Sequence, residues 1–381
     1  MSPAQIKSGP VQSSSDANFV TRVCLPFLQA AQNDDGGWGF RLGSQSRAEP
    51  TAWALLALRG RESSSEREHP ISSSAIEHGG LLGEQRDALL SSELRQTALS
   101  VDAEPGRLSS EVRQTALSRT HQVLSLDQMK QGGIRFLRST QLPDGSWPAA
   151  AGETVGCWAT SLVCWALVEE QESRTAVSTG LRWICKDWPR DSGFLARMIR
   201  KIFGRGTATQ NERLRGWGWT PHTASWIEPT AFALIALNEA PRELLPHEAA
   251  KRCEIAKLLI YDRMCPGGGW SCGNPVVYGV AGDPLVEPTV WALLALRDEP
   301  DSEKKKLSLQ WLERNLSRTA GPGSLALAKI CLDMYGREWP ADAPNLADLY
   351  EQNEFLANVP VMAWACLATS GETGWLGRHP T

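Results

Sequence analysis

Three glutamates stand at one recurring place in this sequence. Glu49 opens EPTAWALLAL, Glu228 opens EPTAFALIAL and Glu287 opens EPTVWALLAL. A carboxyl group before such an apolar run has two uses. As an anion it complements the positive end of a helix dipole. Buried among apolar walls it keeps its proton, because burial penalises the charged form, and it becomes a Brønsted acid. The helix-start role explains all three residues at once. As acids, Glu228 and Glu287 are the candidates, since His222 and Trp226 lie near the former and Asp283 near the latter.

Those glutamates must be positioned by helices. Proline after each Glu marks a helix start, where its missing N–H would be unpaired anyway. The residues that follow carry no polar stripe, and a helix apolar all round is buried on all sides. These are therefore inner helices, wrapped by others. Ahead of each lies a glycine–tryptophan turn: Gly37-Trp38, Gly216-Trp217 and Gly269-Trp270. Trp38 to Thr51 and Trp217 to Thr230 span the same distance, and so does Trp147 to Thr160. The last pair reveals a degenerate fourth copy, with Trp158 in place of the Glu. Before Glu287 the spacing is longer, because residues 275–282 add a loop. Such self-similarity at long period marks a repeat architecture.

Composition excludes some functions. The net charge of −4 gives no bulk attraction for nucleic acid. Residues 1–19 have no apolar core, so they are not expected to be a signal peptide, and residues 1–14 are expected to be disordered. No run approaches the roughly 18 apolar residues of a membrane span. The nine cysteines are odd in number and scattered, with Cys164, Cys331 and Cys366 inside apolar runs. That pattern predicts reduced core thiols and a cytoplasmic protein.

Six outer–inner helix hairpins are expected along the chain. The outer helices fall near 15–32, 126–140, 175–187, 246–264, 302–316 and 344–355. The inner helices follow near 49–58, 155–170, 228–237, 288–297, 322–335 and 359–370. Residues 61–125 interrupt the pattern, rich in Ser, Glu and Arg, with LSSELRQTALS and LSSEVRQTALS as a tandem near-copy. They read as a low-complexity surface insert, with a partner-binding arm as the alternative.

Gln32 before Gly37-Trp38, and Gln141 before Gly145-Ser146-Trp147, resemble the glutamine–tryptophan repeats of squalene–hopene and oxidosqualene cyclases. The EPT helices are similar to inner helices of those cyclases and of protein prenyltransferase β subunits. The resemblance covers most of the chain outside 61–125. It implies an all-α fold, a single (α/α)6 toroid over residues 15–375, where the longer cyclases have two such barrels. It implies a Gln amide bonded to helix-end backbone with the Trp ring stacked over it. It also implies a central apolar cavity holding an isoprenoid chain, with Trp53, Trp165, Phe232, Trp291 and Trp364 as its substrate-binding lining.

In such cyclases a DxDD motif protonates an alkene or epoxide, and aromatic faces stabilise the carbocations. Aligned on the Thr, the motif's central Asp falls on Glu49, Glu228 or Glu287, while its last residue falls on proline each time; the supporting carboxylates are absent from the motif. The zinc set of the prenyltransferases is not matched either. Cys331, Asp333, Cys265, Cys272 and His222 are the nearest material, and their spacing differs, so neither metal nor cofactor is expected. Gly267-Gly268-Gly269 has no following Lys-Ser/Thr and is not a phosphate loop.

Residues 193–204 stand apart. Phe194, Met198, Ile199, Ile202 and Phe203 share one helical face with Leu195, and Arg197, Arg200 and Lys201 supply charge. A basic amphipathic helix of this kind lies on an anionic membrane surface, or packs on the barrel with its basic face in water. The resemblance implies a terpenoid-cyclase-like protein, peripheral to a membrane in one reading of 193–204. The alternatives are a non-catalytic toroid binding a lipid or partner protein, and prenyl transfer.

Overall fold

The computed structural model describes residues 14–61, 124–186, 210–211, 213–277, 280–316, 321–371 and 376. The described chain is mainly helical, with one two-stranded antiparallel ribbon, Val276–Val277 on Val280–Ala281. Most of the 61–125 insert and the whole 193–204 segment lie outside the described residues, as do Phe194, Met198, Ile199, Ile202 and Phe203.

The inner helices are Ala48–Leu58, Ala159–Leu167, Ile227–Glu239, Val286–Ala295, Pro322–Met334 and Val359–Thr369. They form because apolar residues face every direction: in the first, all residues but Glu49 are buried. Each packs on the next in sequence, and the sixth packs back on the first. The EPT helices begin slightly earlier than the prolines suggest. Pro50, Pro229 and Pro288 are third residues, still within the first turn, where backbone N–H groups have no intrahelical partner. The second inner helix is shorter than expected, because residues 155–158 join a loop in which Cys157 N–H donates to Trp147 O at 3.0 Å.

Around these lie the outer helices. The first runs through Ser14–Phe19, a π-helical turn Val20–Cys24 and Leu25–Ala31, and the wide turn comes just before Pro26, whose ring disturbs the regular ladder. The others are Leu126–Ser139, Arg174–Lys186, Ala249–Asp262, Glu303–Asn315 and Leu346–Asn353. The packing departs from simple hairpins. Each inner helix rests mainly on the outer helix that follows it, and the sixth rests on residues 14–31 at the other end of the chain.

The tryptophan turns explain this stagger, because each binds three helices. The Trp38, Trp147, Trp217 and Trp270 backbone N–H groups donate to Thr51, Thr160, Thr230 and Thr289 Oγ1, each at 2.9 Å, fixing the start of the inner helix. Their indoles reach back to the preceding outer helix: Trp38 Nε1 donates to Leu28 O and Trp147 Nε1 to Leu137 O, both at 2.7 Å. The third contact is forward. Gln32 Nε2 donates to Gly36 O at 2.8 Å and to Met129 O at 2.9 Å, and Gln141 Nε2 to Gly145 O at 2.8 Å and Ala176 O at 2.9 Å. Met129 and Ala176 belong to the next outer helix in each case.

Glycine permits the forward contact. Gly36 and Gly145 have φ of +86° and +94°, and a Cβ there would lie 2.5 Å from Gly132 O or 2.8 Å from Thr179 O. The Trp38 ring itself lies against Gly133, and the Trp147 ring against Gly180. All nine cysteines are free, and most are buried. Among the described residues no helix is long and apolar enough to cross a membrane.

Candidate functional site

The site is built from two layers at one end of the inner helices. Hydrogen bonds tie successive helix starts together there. Trp158 N–H donates to Trp219 O at 3.1 Å, Ile227 N–H to Cys272 O at 2.9 Å and Val359 N–H to Phe40 O at 2.9 Å. Each acceptor lies two residues after a turn tryptophan, in the loop of a neighbouring repeat. The last of these bonds joins the first repeat to the sixth inner helix.

Glu49 precedes Trp53 by four residues, as Glu228 precedes Phe232 and Glu287 precedes Trp291. Residues four apart share a helix face, and the rise between them is about 6 Å. The glutamates therefore form a layer one turn outside a layer of aromatic rings. In the second inner helix Trp158 holds the glutamate position. Its ring stacks on Phe232 with centroids 5.2 Å apart and meets Trp219 edge-on at 5.3 Å.

Of the five residues expected to line a cavity, Trp53, Phe232, Trp291 and Trp364 form the inner layer, and Trp165 reaches it from about one turn deeper on the second inner helix. Trp53 is the hub. Its ring centroid lies 5.8 Å from Trp165, 6.0 Å from Phe232, 5.3 Å from Trp291 and 5.5 Å from Trp364. Phe232 and Trp291 are 4.8 Å apart. At such separations aromatic rings touch, so the rings pack on one another across the centre.

The carboxyls differ. Glu228 is half-buried; burial, then the charge of Glu287 on the adjacent inner helix, push it up to about 7. Glu287 is exposed and accepts from Ser324 Oγ of the fifth inner helix at 2.8 Å. Glu49 stands apart from this pair. It too is pushed up to about 7 by burial, against the lowering effect of Arg47. The pattern gave Glu49 the same place as the other two, but its flanking turn carried no signal of burial. None of the three EPT helices has a side-chain hydrogen bond at its N-cap. Cys272 lies near Glu228 and Glu287, and Cys157 near Glu49.

The opposite end of the inner helices is ionic. Arg59 Nη2 donates to Trp165 O and Ala166 O at the end of the second inner helix. Arg297 pairs with Glu239 and donates to Leu376 O at 3.3 Å. Burial pushes Glu239 up to about 7, opposed by Arg297 and Arg59. In the sequence this end is marked by Arg59, Glu239 and Arg297, which close the first, third and fourth apolar runs.

His222 is exposed in a turn with φ of +65°. Among the described residues no group of three His, Cys, Asp or Glu side chains converges to hold a metal ion, and Cys331, Asp333, Cys265, Cys272 and His222 do not assemble.

No family model and no curated protein matches the chain. Among solved structures it is similar to type II terpene cyclase MstE from Scytonema in the apo state, with a TM-score of 0.32 and 13% identity over 94% of this chain and 100% of that one. It is also similar to a variant of that cyclase in complex with its product merosterolic acid A, with a TM-score of 0.29 and 12% identity over 94% and 97% of the two chains.

Proposed function

We propose that this chain is a single (α/α)6 toroid that binds an isoprenoid chain against its central aromatic rings and cyclises it by proton transfer. The observation that carries this reading is the register of Glu228 over Phe232. A carboxyl that holds its proton near neutral pH stands one helical turn from a cluster of π faces. Glu228 donates its proton to the alkene or epoxide of the bound chain, leaving a carboxylate and a carbocation. Trp53, Trp165, Phe232, Trp291 and Trp364 offer quadrupole stabilisation to the cation as it migrates. Loss of a proton or capture of water ends the sequence. Burial, and then the charge of Glu287 held by Ser324, keep the Glu228 pKa high, and Glu49 is a second candidate acid. Exposed apolar residues on the loops at this end, Phe40, Val155, Trp226 and Leu285 among them, suit the entry of an apolar molecule.

One observation favours a second reading, a non-catalytic ring that binds a lipid or partner protein. The central rings already contact one another, so a substrate must part them.

Incubation with squalene and with fifteen- and twenty-carbon prenyl diphosphates, with and without magnesium or zinc, separates the readings. A cyclic product without added metal, lost in Glu228→Gln, supports proton-initiated cyclisation. Full turnover in that variant removes Glu228 as the acid. Diphosphate release that requires metal supports prenyl transfer instead. No product from any substrate leaves the binding reading.

A further inference from the structure

Five described indoles donate to acceptors that the fold supplies. Trp38 and Trp147 donate to carbonyls at 2.7 Å, Trp217 to Ile184 O at 2.9 Å and Trp270 to Ile260 O at 2.6 Å. Trp183 Nε1 donates to Asp144 Oδ2 at 3.0 Å. Trp53 and Trp364 depart from this. Each Nε1 is buried with no acceptor among the described residues. Trp53 is 1% exposed, and the two rings are neighbours, 5.5 Å apart and at 83°. A buried donor without an acceptor carries the full penalty of its lost hydration. Aromatic neighbours compensate little of it. The five indoles with structural roles are all served by the fold. Trp53 and Trp364 stand side by side where the proposed ligand binds.

We propose that the central rings bind a neutral oxygenated isoprenoid, whose hydroxyl, carbonyl or ether oxygen accepts hydrogen bonds from Trp53 Nε1 and Trp364 Nε1. The hydrocarbon chain lies against Phe232 and Trp291. This rests on the isoprenoid reading above and narrows its ligand. A pure hydrocarbon has no acceptor to offer. A diphosphate needs cations, and the described cations that sit over rings face Phe40, Trp217, Tyr261, Tyr335 and Trp339, not the central cluster.

The test uses the full chain with indole-15N tryptophan. It is titrated with geranylgeraniol, with the hydrocarbon of the same skeleton and with geranylgeranyl diphosphate. The alcohol is expected to bind about tenfold tighter than the hydrocarbon, the factor that satisfying a buried donor supplies. Two indole resonances, assigned by their loss in Trp53→Phe and Trp364→Phe, shift downfield with the alcohol and stay in place with the hydrocarbon. Each variant reduces the preference for alcohol. If a variant fails to fold, the wild-type spectrum decides, through indole signals that respond to the alcohol alone. Equal affinities with neither resonance moving overturn the proposal and leave the isoprenoid reading intact. Tighter binding of the diphosphate overturns the neutral oxygen. Binding of none of the three overturns both the proposal and the isoprenoid reading.

Discussion

Thr289 Oγ1 accepts from the Trp270 backbone N–H at 2.9 Å although 19 residues separate them. The same bond spans 13 residues in the other three repeats, at the same length. The ribbon Val276–Val277 and Val280–Ala281 absorbs the extra residues. The bond, not the loop length, is what the repeat preserves. Thr289 and its counterparts also face the Trp carbonyl, at 3.3 Å in the case of Trp270.

Thr230→Val therefore leaves a buried Trp217 N–H without its acceptor. The expected loss is about 1–3 kcal/mol of unfolding free energy in urea. Thr230→Ser keeps the hydroxyl and loses less. Equal losses in the two variants would assign the effect to packing of the methyl group.

Gly180→Ala tests the close approach of the turn to the next outer helix. A Cβ there would lie 2.5 Å from Cys164 Sγ and 2.9 Å from Trp147 Cζ3. Alanine ordinarily favours a helix by about 1 kcal/mol over glycine. Here overpacking of about 1–3 kcal/mol wins, so thermal unfolding moves down. A rise in the midpoint would show that the contact is slack.

Glu49 and Glu228 are both raised to about 7 from a reference of 4.5. The sign follows from linkage. Below the reference value both states are protonated and nothing is lost. Between about 4.5 and 7 the unfolded chain ionises first, so stability falls as pH rises, and above 7 the loss is complete. Glu49→Gln and Glu228→Gln are thus expected to stabilise the protein by about 1–3 kcal/mol each at pH 8, and by little at pH 4. Urea titrations at the two pH values give the comparison. A benefit independent of pH would contradict the raised carboxyl.

Trp53→Ala removes the ring that four others contact. A loss of about 3–5 kcal/mol is expected for so large a truncation. Added indole should raise the melting temperature of the variant and leave the wild type unchanged. No response to indole would mean that the surrounding rings collapse into the space.

Arg297→Met leaves Glu239 buried beside one fewer arginine. Breaking a buried pair from one side costs about 3–5 kcal/mol. The double variant with Glu239→Gln should recover much of that loss, read by calorimetry. Additive losses would show that the pair is not coupled.

The apolar runs made the inner helices legible, because a helix buried on every side has nothing polar to show. Trp53, Phe232 and Trp291 were legible as one layer from their common place after Glu-Pro-Thr. Trp364 has the same place in its helix but no Glu-Pro-Thr to mark it, and Trp165 lies outside that spacing; both join the cluster through the packing of the inner helices. The glutamates were legible as helix starts. That Glu49 and Glu228 share a raised pKa, and that Glu287 stands beside Glu228, depends on which helix lies next to which.

Local chemistry thus determined the helices, the turns and the repeat: proline and glycine at the boundaries, the Trp–Thr spacing, and apolar residues on every face. These act over a few residues, within reach of periodicity. The tertiary structure alone decided that each inner helix rests on the outer helix that follows it, that residues 14–31 cover the sixth, and that Arg59, Glu239 and Arg297 gather at the far end. Those contacts join residues far apart in the chain. Burial and charge interact through space, so their balance is set only when the ring of helices closes.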